Sequence, residues 1–226
     1  ETFASKYGSA EKVIFPEEDV RLTAAEFDRE LDRLAAGYHD RGLSPGDRVG
    51  FVGVNTSRFV AAVFAAMKAG LVPSIFNPRE SAERLRILGE RFDPETVVFD
   101  PSFAEKRDAL VDGTGGVDSI PVGTEGAAAE TYEALRAPDP GDAPEPEIHQ
   151  DDTLLVSWST GTTGVPKGAV WSNRGMVMAG MVNAEGKGLT ASDRIVNKYT
   201  PGFQAWWYNT IQIGRASCRE RVYCEV

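Results

Sequence analysis

Three observations predict an α/β fold of mainly parallel sheets with flanking helices. Strand-like runs alternate with helical periods through the first hundred residues, the pattern that right-handed βαβ crossovers produce. At 226 residues, 42% hydrophobic and 26% charged, the chain has an ordinary globular composition and enough length for one large domain or two modest ones. Finally, the apolar run from Thr153 to Trp158 reads as a buried strand that delivers the chain into a loop crowded with glycines and hydroxyls.

Taken in order, Leu22-Thr23-Ala24-Ala25-Glu26 has the T-x-x-E spacing of a capping box. Phe27, Leu31, Leu34 and Tyr38 then recur at helical spacing as far as Gly42, so one face of this helix is buried. Pro45-Gly46-Asp47 turns the chain into a strand over Arg48 to Val54. An alanine-rich helix follows from Ser57 to Ala69, closed by Gly70. Leu71 to Phe76 reads as the next strand, Ser81 to Arg91 as a third helix and Thr96 to Phe99 as a third strand. From Val111 to Gly126 the sequence is glycine-rich and weakly patterned. The stretch 137–150, rich in proline and acid, reads as a linker between an α/β unit at 1–136 and a unit at 151–212 that begins with the loop-bearing strand, and within it residues 138–147 are expected to be mobile and cleavable.

Charge and composition remove several function classes. The balance of 24 Lys+Arg against 34 Asp+Glu gives −10, which disfavours a nucleic-acid partner, because phosphate backbones require a positive footprint. No apolar run approaches the ~20 residues of a membrane span, and no charged-then-apolar leader opens the sequence. A cytoplasmic location is the expectation. Cys218 and Cys224 are the only cysteines, so no disulfide or zinc framework is expected in the body. The two histidines, His39 and His149, lack cysteine neighbours or a second histidine at ligand spacing and read as solvated side chains, and no metal-ligand set is predicted.

The loop carries the chemistry. In Ser159-Thr160-Gly161-Thr162-Thr163-Gly164-Val165-Pro166-Lys167-Gly168, the glycines allow positive φ and close backbone approach, so successive N–H groups can converge on an anion. Ser159, Thr160, Thr162 and Thr163 add neutral donors, and Lys167 adds a point charge. The rival phosphate motif G-x-x-x-x-G-K-[ST] fails, since Pro166 precedes the lysine and Gly168 follows it.

At this stretch the chain resembles the adenylate-forming, AMP-binding enzymes: acyl-CoA synthetases, peptide-synthetase adenylation domains and firefly-type luciferases. Their signature reads roughly Thr-Ser-Gly-Thr-Thr-Gly-x-Pro-Lys-Gly. Leu22 to Phe27, Gly42 to Val49, Ala66 to Gly70 and Phe76 to Arg79 look like further landmarks of the family's large N-terminal domain, in the family's order. The resemblance implies ATP-dependent activation of a carboxylic acid as an acyl-adenylate, with transfer to coenzyme A or a carrier thiol. Its nearest branch is that of fatty-acid or medium-chain acyl-CoA ligases. A peptide-synthetase adenylation domain is the enzymatic alternative, and a non-catalytic nucleotide-binding module is the alternative from another class.

In that resemblance Ser159, Thr160, Gly161, Thr162, Thr163, Gly164 and Lys167 match the residues that hold the β- and γ-phosphates, with Lys167 also catalytic and Mg²⁺ as the phosphates' counter-ion. Tyr199-Thr200-Pro201-Gly202-Phe203-Gln204 resembles a Pro-x-Phe-His segment beside the acyl pocket, so Phe203 and Gln204 are pocket candidates. Gln204 stands where the family has histidine, and so does Asn173. Trp206 and Trp207 read either as core or as the lining of an acyl channel. The family's adenine and ribose motifs and its C-terminal lysine find no match here, so the fragment alone is expected to be inactive. Residues 213–226 read as a non-native tail that packs poorly: Ile213 to Val222 resembles a translated sequencing adapter, and source DNA is expected to diverge after the codon for Gln212.

Overall fold

The computed structural model describes residues 8–9, 11–136, 140–142, 146–159, 166–189, 193, 195–216 and 222–224. Its centre is a four-stranded parallel sheet in the order β4-β3-β5-β6, formed by β3 (Arg48–Val52), β4 (Val72–Phe76), β5 (Thr96–Phe99) and β6 (Asp118–Pro121). Period-two alternation sends Val49, Phe51, Ile75, Val98 and Ile120 to one face and Val52, Phe76, Val97 and Phe99 to the other. Helices cover both faces, as a parallel sheet requires. The first face meets α1 (Ala24–Asp40) and α2 (Ser57–Lys68); the second meets α3 (Ala82–Phe92) and α4 (Ala104–Asp112). Pro73 lacks an amide donor and is tolerated because β4 is the last strand of this ladder.

The local signals explain the helix ends. Thr23 and Glu26 form the reciprocal capping box at the start of α1, and these hydrogen bonds from Thr23 hold the Glu26 carboxyl below its usual range. Thr56 and Ser81 cap α2 and α3 with their side chains. Gly70 takes φ +75° just past α2 and ends it. Helix crossings are set elsewhere by the absence of side chains. A Cβ on Gly37 would lie 1.5 Å from the Leu135 carbonyl oxygen, so α1 can touch α5 (Gly126–Leu135) only through glycine. Gly89 likewise admits α4 against α3, a Cβ there falling 2.1 Å from the Leu110 carbonyl oxygen.

Several elements lie where the sequence is weakly patterned. β6 crosses the glycine-rich 111–126 stretch as the outer strand of the central sheet, paired only with β5. In the proline-rich 137–150 stretch, Pro140–Asp142 forms a single 3-10 turn and Pro146 packs against Gly70, while residues 137–139 and 143–145 lie outside the described residues. His39 differs from its expected solvated state. It is half-buried, its Nδ1 lies 3.0 Å from the Leu43 carbonyl oxygen, and its Nε2 is shielded from solvent without a partner. The turn after α1 folds the chain back over the ring.

A second, mixed sheet runs β2-β1-β10-β9. It comprises β1 (Glu11–Phe15), β2 (Val20–Thr23), β9 (Ile195–Asn197) and β10 (Val222–Cys224), with only β1–β2 antiparallel. The backbone of β10 therefore fills the gap between β1 and β9, where a poorly packed tail was expected. Strand pairing uses backbone groups alone, so an open sheet edge accepts any extended segment. β7 (Thr153–Trp158) and β8 (Gly168–Ser172) make an antiparallel hairpin that lies along β4. Only Leu155 of β7 is buried, because the hairpin is covered on one side only; an apolar run by itself does not distinguish one-sided from two-sided burial. The chain continues through α6 (Asn173–Gly186) and α7 (Gln204–Ala216), which pack together.

Candidate phosphate-loop site

β7 ends beside the carboxyl end of β4. The Trp158 indole stacks on Phe76 at 6.3 Å between ring centres, meets Phe92 edge-on, and donates Nε1–H to the buried Ser74 hydroxyl at 2.8 Å. Two aromatic rings and one hydrogen bond thus fix the last residue of the strand before the loop. Gly168 faces Trp158 across the hairpin. The sequence suggested that Gly168 supplies backbone freedom, but its φ is not positive. A Cβ there would lie 3.1 Å from Val156 and 3.3 Å from the Trp158 ring, so this glycine makes room for the indole.

The loop's neck is closed by backbone and guanidinium contacts. Ser159 N–H donates to the Lys167 carbonyl at 3.0 Å. From α3, Arg84 Nη2 donates to the Ser159 carbonyl at 3.1 Å and Arg91 Nη1 to the Pro166 carbonyl at 3.2 Å. Glu80 pairs with Arg84 at 3.0 Å. Pro166 is buried, whereas Ser159 and Lys167 are exposed, and the Lys167 ammonium makes no ion pair with any described residue. Thr160, Gly161, Thr162, Thr163 and Gly164 lie outside the described residues. The site therefore presents a lysine at the mouth of a pinched hairpin, backed by two arginines. Such an arrangement suits a polyanion.

The pocket segment reaches the same carboxyl edge of the sheet. A Cβ on Gly202 would sit 2.7 Å from the Asn77 backbone nitrogen, just past the end of β4. Asn55, just past β3, donates Nδ2–H to the Tyr199 carbonyl at 2.9 Å and accepts from the Trp206 indole at 2.7 Å. Asn197 holds the Trp206 carbonyl and the Thr210 hydroxyl. Phe203 is exposed, while Gln204 is half-buried with its Nε2 shielded and without a partner among the described residues. Trp206 and Trp207 are 0% and 2% exposed within the main core, which settles their two readings in favour of packing. Asn173 sits after the Ser172 cap of α6 and donates to the His149 carbonyl at 3.0 Å. No group of three or more His, Cys, Asp or Glu among the described residues could hold a metal ion.

Ligands of open α/β sheets lie beyond the carboxyl ends of the strands, and here the hairpin neck and the pocket segment both do. A family model for AMP-binding enzymes matches residues 1–213. The chain belongs to the AMP-binding enzyme family. Its relatives include a long-chain-fatty-acid–CoA ligase of Thermus thermophilus, 29% identical over 82% of this chain and 35% of that protein. A nonribosomal peptide synthetase of Aspergillus campestris is 28% identical over 85% of this chain and 2% of its own length. Among solved structures, the inhibitor-bound N-terminal domain of FACL13 from Mycobacterium tuberculosis superposes with a TM-score of 0.85 at 24% identity, over 99% of this chain and 55% of that one. That likeness establishes the fold. The chain spans about a third of the length of the acyl-CoA ligases it matches.

Sequence reasoning missed Arg84, Arg91, Asn55 and Ser74. The two arginines recur seven residues apart on α3, a spacing that charged surface helices show routinely, so no local signal tied them to a loop 75 residues away.

Proposed function

We propose that this chain is the phosphate-gripping portion of an enzyme that activates a carboxylic acid with ATP and passes the acyl group to coenzyme A. The observation that carries the reading is the pinched hairpin neck with Lys167 exposed and unpaired at its mouth, on the carboxyl edge of the parallel sheet. In the reaction a carboxylate oxygen forms a bond to the α-phosphorus of ATP, and the bond from that phosphorus to the pyrophosphate oxygen breaks. Negative charge then grows on the departing pyrophosphate. An ammonium held in place at that point stabilises the transition state without reorganising. The Ser159 hydroxyl, exposed at the start of the loop, adds a neutral donor, as would Thr160, Thr162 and Thr163; Gly161 and Gly164 would let backbone N–H groups approach the phosphates. Mg²⁺ would be held by the phosphates themselves. Phe203 and Gln204 would border the acyl group, and the partner-free Gln204 Nε2 supports that placement. A cytoplasmic site of action goes with this reading; no helix among the described residues is long and apolar enough to cross a membrane.

The test is single-turnover adenylate formation by the full-length protein. A charge-assisted hydrogen bond contributes about 1.5–3 kcal/mol, so Lys167→Ala should slow the step by about 10- to 150-fold. Ser172→Ala is the control. Ser172 caps α6 through the Gly175 amide, so its loss should lower stability by about 1 kcal/mol and leave the rate unchanged. Equal rate losses in the two variants would refute the assigned role of Lys167. The 226-residue chain alone should show no carboxylate-dependent exchange of pyrophosphate into ATP. The peptide-synthetase relative favours a second reading, transfer to a carrier-protein thiol; acyl-adenylate consumption by such a carrier but not by coenzyme A would select it.

A further inference from the structure

The two arginines of α3 do more than cover the hairpin. Arg84 and Arg91 are two helical turns apart, about 10 Å along the axis, on one face of the helix. Each donates to a carbonyl oxygen on one side of the loop, Ser159 before it and Pro166 after it. These carbonyl dipoles would repel a phosphate if they turned toward it. A trans peptide places its N–H opposite its C=O. Arg91, by drawing the Pro166 carbonyl toward α3, therefore aims the Lys167 N–H away from the helix. Three further contacts make the arrangement rigid: Glu80 on the Arg84 guanidinium, the Ser159–Lys167 backbone bond, and Trp158 anchored on Ser74.

We propose that Arg84 and Arg91 are positioning residues for the phosphate loop. In this role they hold its two ends, Ser159 and Pro166, so that neither carbonyl faces a di- or triphosphate and the Lys167 N–H is left to turn toward it. The proposal rests on the function proposed above. It assigns no contact between either arginine and the nucleotide; both act through the carbonyls they hold.

The experiment compares Arg84→Gln/Arg91→Gln, Arg84→Lys/Arg91→Lys and Lys167→Ala in the full-length enzyme, reading KM for ATP, kcat and the melting temperature. Because loss of orientation weakens ground-state and transition-state contacts together, the glutamine pair should raise KM for ATP by about tenfold or more. Its melting temperature should fall only modestly, since the Arg84 contact is exposed and the Arg91 contact only part-buried. The lysine pair, which keeps a charged donor at each carbonyl, should recover most of the loss. A glutamine pair within twofold of wild type, alongside a disabled Lys167→Ala, would overturn the clamp and leave the proposed function standing. A Lys167→Ala variant with wild-type kinetics would remove the function itself. If the glutamine pair fails to fold, amide exchange on the single variants of the full-length enzyme decides. The Ser159 amide should exchange about tenfold faster while the Leu155 amide is unchanged, and equal protection at Ser159 would overturn the clamp.

Discussion

The region from Arg48 to Leu135 and the region from Thr153 to Ala216 are built from similar residues but finish their packing differently. In the first, strands β3, β4 and β5 are buried on both faces and every helix closes on the sheet. In the second, the hairpin is covered on one side, and α6 exposes Val177, Met178, Met181 and Val182 at 37–64%. Exposed apolar clusters of this kind mark surfaces that another body covers. Yet the second region is not a loose appendage. Leu155, Met176, Trp206 and Trp207 belong to the same core as Phe51 and Phe59. The lesson is that the regions share one core while only the first is self-sufficient at its surface, so no boundary near residue 150 separates two cores.

The strongest challenge to that picture is Trp206→Ala. Trp206 is fully buried, packs against Trp207 and Phe64, and hydrogen-bonds Asn55. If the core is shared, its truncation should destabilise the whole chain by about 3–5 kcal/mol in urea unfolding. A loss below about 1 kcal/mol, the ordinary result of a point mutation, would mean the second region merely leans on the first. Next in size, Gly37→Ala forces a methyl into the Leu135 carbonyl and should cost about 3 kcal/mol or more, with the near-ultraviolet signal of Trp206 preserved in the folded fraction. Wild-type stability for this variant would show that α1 and α5 separate freely, contrary to a closed first region. The smallest effect sharpens the contrast: Met178→Glu with Val182→Glu should change stability by less than about 0.5 kcal/mol while reducing self-association measured by light scattering. A large stability loss would place those side chains in a core after all.

Much of the fold from Thr23 to Phe99 was legible in the sequence because its signals are local. The capping box at Thr23, the breaker at Gly70 and the apolar runs at Val72–Phe76 and Thr96–Phe99 each act within a few residues of themselves. β6 was not legible, since Asp118–Pro121 has only Ile120 fully buried and owes its extended form to β5 beside it. Nor was β8, whose exposed residues become a strand only by pairing back onto β7.

For the site the division follows the same physics. Residue type and spacing alone point to the stretch from Ser159 to Lys167 as the candidate anion grip, because glycine freedom, hydroxyl donors and a lysine at fixed offset need no distant partner to declare themselves. Only the tertiary structure decided that Arg84 and Arg91 hold the ends of that loop, that Gly168 serves Trp158, and that Asn55 ties the pocket segment through Tyr199 and Trp206. Those contacts join residues 10 to 151 positions apart, and chain distance carries no trace of them until the parallel sheet brings the ends of β3, β4 and β7 to one edge.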